Sequence, residues 1–90
     1  MRANITPMEL DRWANLLHGA VTGKWLTVRC RDYRACRRNF DQCHEICDAI
    51  GLAHVARRSS LEIVIGDGIR DGGIDFRTSD MDRRRDGDPR

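Results

Sequence analysis

Four cysteines, Cys30, Cys36, Cys43 and Cys47, fall within eighteen residues beside His44, a density that raises zinc or iron–sulfur chemistry. Their spacing argues for packing instead. There is no Cys-x-x-Cys pair to form a metal knuckle, and Cys36, Cys43 and Cys47 fall in step with Tyr33, Phe40 and Ile50 at intervals of three and four residues. On a helix that interval is one apolar stripe, on which a thiol behaves as a small hydrophobe. No metal and no cofactor is expected, and Cys43 and Cys47, one turn apart, are the pair to watch if an ion is bound. Disulfides are not expected in a chain read as cytoplasmic. His44 points away from the stripe, and His18, His44 and His54 lie in separate elements without a nucleophile-and-base motif around them. No catalytic residue is therefore assigned, and the chain reads as a non-enzyme.

Arg29, Arg31, Arg34, Arg37 and Arg38 crowd ten residues around the start of that same helix. Positive charge there opposes the helix dipole, and an external phosphate or an acidic partner would relieve it. These five form the candidate binding site, for a protein partner or for nucleic acid, with Asp32 and Asp41 neutralising part of the charge. Arg57, Arg58 and the triplet Arg83 to Arg85 would extend the patch. Exposed aromatics for base stacking are scarce: Trp13, Phe40 and Phe76 read as core, which leaves Trp25 and Tyr33, so sequence-specific reading of bases is not expected. The segment Gly19-Ala20-Val21-Thr22-Gly23-Lys24-Trp25 imitates a phosphate-binding loop, but it is one residue short and carries tryptophan where the magnesium-holding hydroxyl belongs. It also follows a helix and opens a strand, the reverse of the order that points a helix N-terminus at an anion.

The elements that must position these residues are legible from caps and periodicity. Thr6-Pro7-Met8-Glu9 carries a helix start: a threonine cap, proline at the first helical position and glutamate to close a capping box. Met8, Leu10, Trp13, Leu16, Leu17 and Val21 then form an apolar stripe, with Gly19 or Gly23 placed to end the helix. Lys24 to Cys30 alternate as a strand. Asp32 caps the second helix, which Gly51 stops. Two strands are expected at Ala53 to Arg57 and Leu61 to Ile65, and a last one at Ile74 to Thr78 after a glycine-rich turn. The resulting class is α/β (α+β): a small mixed sheet of about four strands with two helices, in the order helix, strand, helix, strand, strand, strand. The first two strands are expected to run parallel through a right-handed crossover, and the later ones to form antiparallel hairpins. Residues 1–78 make one domain, and 79–90 a flexible charged tail.

Ninety residues with 40% hydrophobic and 33% charged side chains allow one domain with a small core. The net charge of +2, from 16 basic and 14 acidic residues, is too even to mark a nucleic-acid binder by itself. Fifteen of the sixteen basic residues are arginine, a bias that points to a GC-rich genome and so to an actinobacterial or actinobacteriophage source. No apolar run approaches the roughly 20 residues of a membrane span, and the N-terminus lacks a signal-peptide pattern, so a cytoplasmic location is expected.

The strand Trp25-Leu26-Thr27-Val28-Arg29-Cys30, the arginine-bearing helix, and Leu61-Glu62-Ile63-Val64-Ile65 and Ile74-Asp75-Phe76-Arg77-Thr78 around a glycine turn carry a family resemblance. Residues 24–78, 55 of the 90, resemble the part of the P-loop ATPase core of phage terminase large subunits and related helicases that follows the phosphate loop. The family's Walker A loop and its later acidic strand have no competent counterpart here, so the resemblance implies a nucleotide-free portion of that fold, retained for contact with DNA or protein. The function expected from all of this is that of a small, phage-encoded accessory binding protein whose partner is a host or phage protein. The alternative is a sequence-nonspecific nucleic-acid binder, and a homodimer is a further option because a thin core gains from association.

Overall fold

The computed structural model describes residues 5–66 and 72–81. Two helices and four strands follow in the expected order: α1 (Pro7–Val21), β1 (Trp25–Arg29), α2 (Tyr33–Ile50), β2 (His54–Arg57), β3 (Glu62–Ile65) and β4 (Gly73–Arg77). Most of the glycine turn, 67–71, and most of the expected tail, 82–90, lie outside the described residues, as do Arg83 to Arg85. Residues 79–81 form one further helical turn. Thr78 begins it, its hydroxyl accepting from the Met81 backbone N–H at 3.2 Å, and Met81 packs against the core.

Both helices start where their caps predict. The Thr6 hydroxyl accepts the Glu9 N–H at 3.2 Å, while the Glu9 carboxylate accepts the Thr6 N–H at 2.9 Å, so two otherwise unpaired donors are satisfied reciprocally. Asp32 accepts the Ala35 N–H at 2.8 Å. Those backbone hydrogen bonds are the main reason that the Glu9 and Asp32 carboxyls sit below their ordinary pKa, nearby arginines adding to the effect. Because both pKa values are depressed on folding, protons bind the unfolded chain more readily. The contribution is complete above the ordinary carboxylate range near about pH 4 and is lost as pH falls through the lower folded values. Asp32→Asn keeps a competent cap but does not titrate. Acid unfolding followed by circular dichroism should therefore be shallower in Asp32→Asn than in wild type below about pH 4; superimposable acid limbs would refute the role of Asp32.

The sheet order is β1-β4-β3-β2. β2–β3 and β3–β4 are antiparallel, as expected for hairpins, but the parallel partner of β1 is β4. β1 and β2, expected to be neighbours through the crossover, stand at opposite edges. Burial follows this order. β3 and β4 contribute the fully buried Ile63, Val64, Ile74 and Phe76 and take the centre, whereas every residue of β2 is only half-buried.

α1 and α2 share one face of the sheet. The Phe76 ring meets Trp13 of α1 edge-on at 5.9 Å and Phe40 of α2 at 6.1 Å, and the Trp13 indole N–H donates to Gln42 of α2 at 2.6 Å. Around these rings lie Leu17, Ala20, Val28, Cys36, Cys43, Ile46, Cys47, Leu61, Ile63 and Ile74. The expected stripes are therefore central to the core, but their ends are not. Tyr33 and Ile50 at the two ends of α2, and Met8, Leu10 and Val21 of α1, are exposed. On the other side of the sheet Trp25 lies over Gly73, and Arg77 Nε stands 3.6 Å from Asp75 Oδ2, both side chains largely buried.

Candidate functional site

Of the five arginines of the expected site, three line one groove and two do not. Arg29 is the last residue of β1 and α2 begins at Tyr33, so Arg31 sits on the connection that turns from sheet to helix. Arg38 comes one turn into α2. Together with Arg12 of α1, these three line a groove of about 500 Å³ between the helices, whose remaining walls are Glu9, Cys30, Ala35, Asn39 and Gln42. Arg34 and Arg37 are exposed on α2 and do not line it.

Arg12 was not visible as a site residue in the sequence because its nearest basic neighbour in the chain beyond Arg2 is Lys24. The Trp13–Gln42 hydrogen bond ties α1 to α2 beside it. Arg12 also lies against the Trp13 ring at 5.0 Å, which steadies a long side chain otherwise expensive to order. Glu9, the one carboxylate of the groove, is engaged by its own capping box and by Gln42, with Arg38 near enough to favour its ionised form. Four arginines thus line a groove that has one carboxylate, beside the amide side chains of Asn39 and Gln42. Such a surface offers planar, bidentate donors to carboxylates or phosphates. Arg31 has a loose contact with Asp32 at 3.6 Å, both exposed, which in water contributes little. Arg58, expected as an extension of the patch, is instead paired with Asp41 at 2.8 Å and lies over the Phe40 ring at 5.0 Å.

The cysteines behave as the helical spacing predicts. All four are free thiols; Cys36, Cys43 and Cys47 are buried and Cys30 is half-buried. Burial, with the hydrogen bond to Cys30 and the negative charge of Asp32 adding to it and Arg77 opposing it, pushes the Cys36 thiol up to about 12. Its hydrogen bond to Cys47, together with burial, likewise holds Cys43 in the neutral form.

Two of the three histidines come together. His44 and Asp48 lie one turn apart on α2, and Gly51 ends that helix in the left-handed conformation at φ 74°. The Leu52 N–H donates to Cys47 O at 2.9 Å and the Gly51 N–H to Asp48 O at 3.2 Å, the paired closure of a Schellman turn. This reversal brings His54, the first residue of β2, back alongside the last turns of α2. His44 Nδ1 and His54 Nε2 are 2.7 Å apart, and Asp48 Oδ1 is 3.6 Å from His54 Nε2. The i, i+4 spacing of His44 and Asp48 was readable in the sequence; the third member, beyond a glycine stop, was not.

The described residues contain no helix long and apolar enough to cross a membrane. The chain matches no protein-family model, no curated protein and no solved structure.

Proposed function

We propose that this protein is a non-enzymatic binding module that holds an acidic segment of a partner protein in the groove between α1 and α2. The observation that carries the reading is the convergence of Arg12, Arg29, Arg31 and Arg38, from two helices, the end of β1 and the connection that follows it, around a space of about 500 Å³. That volume suits a few carboxylate side chains rather than the continuous track of a duplex. The arginine bias and the terminase-like pattern of residues 24–78 support an accessory protein of an actinobacteriophage, acting in the host cytoplasm on a host or phage protein.

A second reading, nonspecific nucleic-acid binding, is favoured by the exposure of Arg34 and Arg37, which prolong the positive surface along α2 beyond the groove. The two readings separate in one experiment. Fluorescence anisotropy is measured with a labelled glutamate-rich peptide and with labelled single- and double-stranded DNA, at about 50 and 200 mM salt. The peptide should bind, and Arg12→Glu combined with Arg38→Glu should weaken it at least about tenfold, because each reversal removes a donor and adds a repelling charge. Arg34→Ala with Arg37→Ala should leave the peptide affinity within about twofold, since exposed charges away from a contact contribute little. DNA binding that collapses at the higher salt and needs Arg34 and Arg37, with no peptide binding, would replace the first reading by the second. Binding of neither probe would overturn both.

A further inference from the structure

His44, Asp48 and His54 present one ligand atom each, all within 4.8 Å of one another, and the way His54 is held decides what it presents. Its Nδ1 lies 2.7 Å from the backbone carbonyl of Leu52. A carbonyl can only accept, so Nδ1 carries the proton, and in the neutral ring Nε2 is left with its lone pair. That lone pair faces His44 Nδ1 and Asp48 Oδ1. An imidazole whose far nitrogen is anchored on a backbone carbonyl is the arrangement by which proteins orient metal-binding histidines. The anchor is itself built in, because Leu52 is fixed by the Schellman turn described above.

We propose that His44 Nδ1, Asp48 Oδ1 and His54 Nε2 form a site for a divalent first-row transition ion, with zinc as its representative. Two imidazoles and one carboxylate are a ligand set that zinc accepts, leaving a fourth position for water or for a group from a partner. The two distances to His54 Nε2 are near those required, and the exposed Asp48 side chain has the freedom to close the third. Two nitrogens on a tetrahedral zinc with bonds of about 2.0–2.1 Å stand about 3.3 Å apart, against 2.7 Å between the rings here. Opening that pair by roughly half an ångström makes room for the ion, and the proton that neutral His44 holds on Nδ1 moves, through solvent, to its Nε2, so that Nδ1 presents a lone pair. Oδ1 of Asp48, at 3.6 Å from Nε2, is already at ligand separation. The His54 side chain is only 7% exposed and that of Asp48 is 65% exposed, so the ion enters from the Asp48 side and the buried ring is the fixed part of the site. Neither Cys43 nor Cys47, the pair best spaced for an ion in the sequence, belongs to this group. Both are buried in the core, their thiols hydrogen-bonded to each other.

The test is isothermal titration of the chelator-treated full chain with zinc, paired with nitrogen-15 spectra of the histidine side chains. One ion should bind per chain, shifting His54 Nε2 and His44 Nδ1 and leaving His18 unmoved. Losing even an outer-sphere partner typically costs about 10–100-fold in metal affinity, so Asp48→Asn, at an exposed position where folding is not at stake, should weaken binding at least about tenfold. His44→Ala should do the same, and His18→Ala should change nothing. Should His44→Ala fail to fold, the wild-type spectra decide alone. Absence of zinc binding, or zinc that shifts other histidines, or affinity indifferent to Asp48→Asn but lost on substituting cysteine, would overturn the site.

Discussion

Phe76→Ala should lower the unfolding free energy by about 3–5 kcal/mol, the range for removing a buried aromatic ring and leaving its cavity. Phe76 is fully buried on the central strand β4, beside Val28 of β1 in the parallel register. Its ring is the shared contact of both helices, edge-on to Trp13 and to Phe40. Alanine would strip three elements of a common partner at once, and the helices cannot collapse into the gap without moving the sheet they lie on. A domain of this size has only about 5–15 kcal/mol in total, so the loss is a large part of what holds it folded. Urea denaturation checks it, with the midpoint falling at an unchanged slope. Phe76→Leu, which keeps most of the volume, should lose clearly less. A midpoint for Phe76→Ala within experimental error of wild type would mean that Phe76 is not the keystone of this core.

Gly72→Ala should be the second large effect, through crowding rather than a void. A Cβ at this position would stand 2.3 Å from the Ala20 carbonyl oxygen, 3.0 Å from that of Lys24 and 3.1 Å from the Gly23 carbonyl carbon. All three are backbone atoms at the junction of α1 and β1, so no side chain can swing aside. Nor can the strand retreat, because Gly72 accepts from the Ile65 N–H at 3.0 Å and the Gly73 N–H donates to Lys24 at 2.9 Å. Overpacking of this kind costs about 1–3 kcal/mol, and each kcal/mol lowers the midpoint of a domain this small by about 4–8 °C. The thermal midpoint should fall accordingly. Gly51→Asn provides the contrast: position 51 has open space around it but needs a left-handed backbone, which asparagine tolerates, so that variant should melt close to wild type. If Gly72→Ala melted with it, the close approach of β4 to the end of α1 would be disproved.

The sequence by itself determined the elements and much of the core. Thr6, Glu9, Asp32 and Gly51 mark helix ends because caps are local: each satisfies backbone groups within a few residues. The three-and-four spacing of Cys36, Phe40, Cys43 and Cys47 likewise decided that these thiols pack, since a helix has only one buried face to offer. Adjacency was decided by the tertiary structure. β1 pairs with β4, which together with β3 holds the buried centre of the sheet, an outcome of competition among all four strands that no single segment records. Arg12 reaches the groove only when α1 docks beside α2, which separates Arg29, Arg31 and Arg38 from Arg34 and Arg37 although all five are neighbours in the chain. His54 meets His44 and Asp48 for the same reason. Helical spacing brings residues one turn apart together, but the return of the chain past Gly51 brings a strand residue to them, and the direction of that return depends on where the sheet lies.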